Sequence, residues 1–454
     1  MQTIIYKYLK FVSFCDLLNW SAYSLLGKNL IYTQKYPFVR IGDFLKRNKE
    51  QVFIQDDELY KRPTIRTNGQ GINLRDEVEG KYIGTKNQFR IHKGQFLLSK
   101  IDARNGAFGV IPTELDKGVI TGNFWTFDVN YTLINPHYLA LLTGTKEFQK
   151  LCQNASVGTT NRNYLQEEYF LNFEIPLPTL QEQATLVANY LDKIKKAEEL
   201  QKQANEIERE IEKYLFEELG ITLEQNNIKN NSFKIVDFEY ISRWDTLFLL
   251  GKIPTLKSKY KLLSFGEVIK NFNMDNNLKS IRIDSSQFPD EEFKYLGMEH
   301  IEKETGKLLD MPTVKGYEIK SQTLRVPINF IIYGKLRPYL NKYWINQTDF
   351  DNIICSSEFF VFDIDDNINK HFFINVLSSK IIQSQISDKT SGARMPRINS
   401  DIFFDLKFPL PPKNIQKKIV ANISLKKEKI EKYQATATDL IKEAEQEFEK
   451  EIFK

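Results

Sequence analysis

The chain has 454 residues, 41% hydrophobic and 27% charged, with a formal net charge of +4. That composition supports buried cores and excludes a disordered or collagen-like chain, and the length leaves room for about two to four domains. So small a positive balance allows nucleic-acid binding only through local basic patches, and widely spaced Cys15, Cys152 and Cys355 exclude a disulfide framework and point to a reducing, cytoplasmic compartment.

The opening MQTIIYKYLKFVSFC is apolar but interrupted by Lys7 and Lys10 and has no small-residue cleavage site, so it predicts neither a leader nor a membrane span. From Phe14 to Lys28 the chain reads FCDLLNWSAYSLLGK, followed by Tyr36-PFVRIGDFLKRN. Strand-like runs rich in aromatic and apolar residues come next, QFLLSKI from Gln95 and NFWTFDV from Asn123. A helix is expected over about Tyr138–Gln153, then a polar loop from Gly158 to Asn163, then a Pro-punctuated strand, EIPLP, from Glu174 to Pro178. No Pro or Gly occurs between Pro178 and Gly220, and apolar residues recur at Ala184, Val187, Leu191, Ile194, Ala204, Ile207, Ile211 and Leu215. That spacing predicts one long helix with a narrow seam.

The same grammar then begins again. FEYISRWDTLFLLGK (Phe238 to Lys252) faces the first such segment, with Trp244 answering Trp20. QFLLSKI faces NFIIYGKL, GVITGNFWTFDV faces NIICSSEFFVFDI, and EIPLP faces KFPLP. A helix is expected over His371–Ile386, and a second long helix over about Ile415–Ile452 with its seam at Ile430, Tyr433, Ala437, Leu440, Ala444 and Phe448. Each repeat is long enough to fold its own core, so this is a duplication and not a short-period solenoid. Helices of roughly 35 residues span roughly 50 Å, and so thin a stripe needs a partner. We expect the two to pair antiparallel and make a pseudo-two-fold rod. Its length suits modules spaced about one duplex turn, roughly 34 Å, apart on DNA.

Two motifs invite a catalytic reading. Asn135-Pro136-His137-Tyr138 nearly matches the NPPY element of adenine methyltransferases, yet its repeat mate Asn369-Lys370-His371-Phe372 does not, and no Gly-rich cofactor loop precedes it. We read it as a helix entry with Pro in the first turn. Pro289-Asp290 with Glu318-Ile319-Lys320 mimics a metal-dependent nuclease signature, but in a chain this rich in Glu and Lys we read a solvated loop. The chain is read as non-catalytic and metal-free.

Base reading needs Arg, Lys, Asn or Gln on loops or helix ends. The repeat pairs Lys100, Arg104 and Asn105 with Lys335 and Arg337, and the loop bearing Thr159, Thr160, Asn161 and Arg162 with the one bearing Arg394, Arg397 and Asn399. These are the candidate DNA-contacting residues.

The junctions SVGTTNRNYLQEEYFLNFEIPLPTLQEQATLVANYLDKI (Ser156 to Ile194) and TSGARMPRINSDIFFDLKFPLPPKNIQKKIVANI (Thr390 to Ile423) resemble those of specificity subunits of Type I restriction–modification enzymes. A polar loop led by glycine, a strand ending Pro-Leu-Pro and a helix led by Glu-Gln make up the pattern. Glu182-Gln183 fits it, and in the second copy Lys417-Lys418 is read as standing in the place of that pair. The resemblance implies two tandem α/β (α+β) target recognition domains separated by the helices of an antiparallel coiled coil. On this reading residues 1–178 and 221–411 are the recognition domains, and 179–220 and 412–454 the helices. Each domain would read half of a bipartite site in double-stranded DNA. The coiled coil would set the spacer and dock two methyltransferase subunits, with restriction-translocase subunits joining through them. Glu182, Gln183, Val187, Leu191, Ile194, Ile207, Ile211, Ile430, Tyr433 and Leu440 are the candidate coiled-coil and docking residues. S-adenosylmethionine, ATP and magnesium would be held by partner chains and none by this one. The residues leave open a related modification system and a coiled-coil scaffold that binds proteins.

Overall fold

The computed structural model describes residues 32–157, 164–224, 255–275, 277, 279–386, 389–390 and 394–453. The segments around Trp20 and Trp244 and the loop from Thr159 to Arg162 lie outside the described residues. The chain divides into two compact units, Met1–Gln201 with Ala435–Lys454, and Lys202–Gln434.

Each unit is built on a four-stranded antiparallel sheet of the same strand order. In the first, Leu45–Asn48, Phe124–Val129, Phe96–Ser99 and Phe108–Val110 lie side by side. In the second, the order is Ile269–Lys270, Phe359–Ile364, Ile331–Gly334 and Tyr343–Ile345. The central strands Phe96–Ser99 and Ile331–Gly334 are buried at every position, which is why their sequences run apolar without alternation. Around them the first core gathers Phe96, Phe108, Phe127, Tyr138, Phe148 and Phe170. The second gathers Tyr333, Phe360, Phe362, Phe373, Phe403 and Phe408. Outside this shared sheet the units diverge. The first adds a hairpin of Leu59–Ile65 with Ile72–Glu79 and a three-stranded sheet. The second adds a five-stranded sheet in which Glu292–Leu296 and Ile353–Ser356 run parallel.

The helix expected over Tyr138–Gln153 is two helices, Pro136–Gly144 and Lys146–Asn154. Thr145 is extended between them, and its hydroxyl accepts the Phe148 N–H at 3.2 Å. The second copy breaks likewise into Lys370–Leu377 and Lys380–Ile386, with the Ser379 hydroxyl accepting from the Ile381 N–H. Such local hydroxyl bonds compete with helix continuation, so apolar periodicity alone overran the break.

The Pro-Leu-Pro strands pair with the short strands Phe38–Arg40 and Leu262–Ser264, Val39 opposite Ile175 and Leu263 opposite Phe408. The chain then enters the helices Leu180–Leu219 and Lys413–Ile452, 40 residues each. Thr179 and Glu182 form a capping box at the first entry, the Glu182 carboxylate accepting the Thr179 N–H at 2.9 Å. Gln183 is buried. Its side-chain oxygen accepts the Asn135 N–H at 2.7 Å, and its amide donates to the carbonyls of Pro178 at 2.8 Å and Leu133 at 3.2 Å. Gln416 repeats this, accepting from Asn369 N–H and donating to the Pro411 carbonyl, each at 2.9 Å. The counterpart of Glu182-Gln183 is therefore Ile415-Gln416, not Lys417-Lys418. The acid is lost in the second copy, and the glutamine that joins helix to globule is kept.

The two long helices pack on one another antiparallel within each unit. In the second, Ala204, Ile207 and Ile211 meet Ile430 and Tyr433, flanked by Glu210–Lys426 at 2.5 Å and Glu218–Lys418 at 2.7 Å. In the first, Val187 joins Phe448 and Ile452 in the core, Tyr190 stands edge-on to Phe448, and Lys193 bonds Glu447 at 2.6 Å. Ile194 and Leu440 are half-buried. Leu191, expected in the seam, is 49% exposed. The buried face keeps the expected Val187 and runs through Gln183, Tyr190 and Ala197 in place of Ala184 and Leu191, because a polar Gln and an amphipathic Tyr take positions that a hydropathy pattern leaves empty.

Candidate nucleic-acid interface

The candidate residues gather where the central strand of each sheet ends. In the first unit Lys100 follows Ser99. Its N–H donates to the Asn123 carbonyl at 3.0 Å, its carbonyl accepts the Leu165 N–H at 2.9 Å, and its ammonium stands 5.6 Å from the Tyr164 ring centre. In the second unit the Lys335 N–H donates to the Glu358 carbonyl at 2.8 Å, its carbonyl accepts the Ile398 N–H at 3.2 Å, and its ammonium lies 5.3 Å from the Phe360 ring centre. The two lysines occupy one duplicated cradle, made of the exit of a buried strand, the head of its aromatic neighbour and the residue closing the polar loop.

A 3-10 turn follows each lysine. The first, Ala103–Asn105, carries Arg104 half-buried and Asn105 exposed. The Asn105 side chain donates to the Asp102 carboxylate at 3.2 Å. The second turn, Pro338–Leu340, is entered through Arg337 at φ +48, whose N–H donates to the Pro396 carbonyl at 2.7 Å. A bridge between Leu336 and Arg397 continues that pairing. The fold thus brings Lys335, Arg337 and Arg397 together, with Arg394 and Met395 exposed in the same loop. Asn399 has a local task, its side chain accepting the Ile402 N–H at 2.9 Å to cap the helix Ser400–Phe404.

Charge differs between the cradles. Arg397 forms a two-pronged pair with Glu358, at 3.0 and 2.8 Å. That bond holds the Glu358 carboxyl below its usual range and raises the Arg397 guanidinium. Burial pulls the Lys335 ammonium down, with Glu358 opposing it. Asn123 takes the position of Glu358 in the first unit, and Tyr164 that of Arg397. Sequence reasoning passed over Asn123, Glu358 and Tyr164, although the first two head the aligned aromatic strands GNFWTFDV and SSEFFVFDI.

The two catalytic look-alikes have structural tasks. Asn135 caps the helix Pro136–Gly144 by accepting the His137 N–H at 2.9 Å, and Asn369 caps its counterpart through Phe372. Glu318 accepts the Lys315 N–H at 2.8 Å to cap the turn Gly316–Glu318. Among the described residues no group of three or more His, Cys, Asp or Glu could hold a metal ion, and no helix is long and apolar enough to cross a membrane.

The Type I restriction modification DNA specificity domain matches twice, at residues 33–209 and 282–437, well over half of the chain. The chain belongs to that family. Type I specificity subunits are non-catalytic DNA-recognition components, and membership implies assembly with modification and restriction subunits on DNA. The chain is similar to the Type I restriction enzyme EcoDI specificity subunit of Escherichia coli, 24% identical over 71% of this chain and 68% of the relative. It is also similar to the MjaVIII specificity subunit of Methanocaldococcus jannaschii, 24% identical over 85% and 84%. Among solved structures it resembles a chain from a study of complex assembly and conformational transition of the type I R-M system. That match has a TM-score of 0.54 at 13% identity, covering 93% of this chain and 98% of the other.

Proposed function

We propose that this Type I specificity subunit reads a bipartite site in double-stranded DNA, one half with each globule. The duplicated lysine cradle carries the reading. Backbone geometry is kept at Lys100 and Lys335, while the surrounding side chains change from Asn123 and Tyr164 to Glu358 and Arg397. Constant framing with variable polar edges suits two modules that engage the same polymer and recognise different bases. The paired helices set the spacer between the half-sites and offer docking surfaces to two methyltransferase subunits, through which the restriction subunits join. S-adenosylmethionine, ATP and magnesium belong to those partners, the chain itself holding none, and the complex works in the cytoplasm.

Methylation mapping in a host carrying the complete system tests this. The expected motif has two specified blocks separated by a gap of unspecified bases. An uninterrupted motif, or a methylation pattern unchanged when the chain is deleted, overturns it.

A further inference from the structure

Each globule has a loop outside the aligned repeat segments that docks on the candidate DNA-facing turn in the same way. In the first, residues 66–71 join the hairpin strands Leu59–Ile65 and Ile72–Glu79. Asn68, at φ +58, donates its N–H to the Asn105 carbonyl at 2.7 Å, and the Gly69 N–H reaches the Gly106 carbonyl at 2.9 Å. In the second, a turn closes between bridged Ile301 and Leu308, with the Glu302 N–H donating to the Lys307 carbonyl at 2.8 Å. Glu304, at φ +66, donates its N–H to the Leu340 carbonyl at 3.1 Å. Asn105 and Leu340 are the last residues of the two equivalent 3-10 turns.

Non-glycine residues with positive φ are uncommon, and both loops use one at the docking position although their sequences are unrelated. Both backbones are also held from below. A Cβ on Gly69 would lie 3.0 Å from the Gly144 Cα, and one on Gly306 would lie 2.4 Å from the Tyr343 ring. The Tyr343 hydroxyl donates to the Thr305 carbonyl at 2.9 Å. A fixed backbone with exposed polar side chains is what a reading element needs, since base edges discriminate only against groups held in place. Arg66, Thr67 and Gln70 are exposed on the first loop, and Lys303 and Lys307 on the second. Lys303 and Lys307 are the exposed cations of the second loop, while Glu304 adds to burial in raising the carboxyl of Glu208 on the helix Leu180–Leu219.

We propose that these loops are a second reading element, one per globule, acting beside the lysine cradle. Arg66 and Gln70 contact purine edges in one half-site, and Lys303 and Lys307 contact guanine in the other, following the pairing habits of these side chains in the major groove. The proposal rests on the DNA-recognition reading above.

The test uses the full chain assembled with its methyltransferase subunits and a randomised duplex library whose methylated members are sequenced. Arg66→Ala with Gln70→Ala is expected to lose about tenfold or more discrimination at one or two positions of one half-site, with the other half-site unchanged. Lys303→Ala with Lys307→Ala is expected to do the same in the opposite half-site. The single variants Gln70→Ala and Lys303→Ala, each removing one exposed side chain, serve should a double variant fail to assemble. Unchanged preference at every position overturns the proposal, as does a uniform loss of affinity with preference intact, which marks phosphate contact alone. If the wild-type complex selects no site, the recognition reading itself falls. A selective wild type with unchanged variants sinks only the loops.

Discussion

Replacing Gln183 by Met keeps the length of the side chain and removes all of its hydrogen-bonding capacity. Three backbone groups lose their partner, the Asn135 N–H and the carbonyls of Pro178 and Leu133. Leu133 is 41% exposed, so its carbonyl finds water. The Pro178 carbonyl is buried and the Asn135 N–H half-buried, and an unsatisfied buried backbone group costs about 1–3 kcal/mol. Relief of the glutamine's own desolvation returns part of that, leaving a loss of about 2–3 kcal/mol. Asn135 is the cap of the helix Pro136–Gly144, so the loss falls first on that helix. Hydrogen exchange resolves it from global unfolding: amides of residues 135–144 should exchange faster by about thirty-fold or more at equal pH, while residues 369–377 do not change. Gln416→Met should give the mirror result, fast exchange at 369–377 and none added at 135–144. Denaturant unfolding supplies the free energy. A loss below about 0.5 kcal/mol with unchanged exchange at Asn135 refutes the argument that these glutamines join helix to globule.

Ile207→Ala and Ile430→Ala, at facing seam positions each 7% exposed, should each cost about 2–4 kcal/mol of unfolding free energy, and the double variant should cost less than the sum because the two side chains touch. Gly80→Ala and Gly316→Ala should sharply reduce soluble yield and melting temperature, since the new Cβ would lie 1.8 Å from the Gln55 carbonyl oxygen and 2.0 Å from that of Phe288. Arg394→Ala with Arg397→Ala should weaken DNA binding by the assembled complex and flatten its salt dependence, as read from affinity across a salt series; equal affinity and slope remove that loop from the interface. The Glu358 carboxyl is depressed by Arg397, so the pair contributes stability above the ordinary glutamate range and loses it as pH falls through the lowered value. Wild type and Arg397→Ala should therefore differ in melting temperature at pH 7 and converge in acid.

The duplication, the central strands of the shared sheets and the ends of both long helices were legible because they rest on strong local signals. Proline ends the strand before each helix, an unbroken run follows, and Gly220 at φ +58 closes the first helix where left-handed backbone is required. Lys100 and Lys335 were legible as a pair for the same reason. The seam was legible at Val187, Ile207, Ile211, Ile430 and Tyr433 and missed at Ala184 and Leu191, where Gln183 and Tyr190 stand instead, because Gln183 is buried by what it bonds to, not by hydropathy. The paired helices at 136–154 and 370–386 merged in the reading because one Thr and one Ser each decide a break. The docking loops were opaque for a deeper reason. Asn68 and Glu304 are held through main-chain groups, which every residue but proline carries, so the two loops share a geometry without sharing a sequence. The parallel pairing of Glu292–Leu296 with Ile353–Ser356 depends on residues far apart in the chain and left no local trace.

The first compact unit takes its last strip of core from far down the chain. Phe448 and Ile452 fill its interior, Tyr32 stacks on Phe453 at 5.3 Å, and the Thr33 N–H donates to the Ile452 carbonyl at 2.9 Å. The second unit is continuous in sequence, from Lys202 to Gln434. Order of synthesis and order of completion therefore run opposite. A ribosome releases everything the second globule needs while the first, made earlier, still exposes the apolar patch awaiting Phe448 and Ile452. That waiting surface is the hazard during translation. A stop codon a few residues before Phe448 would leave the second globule's sequence whole and the first globule's core unfilled.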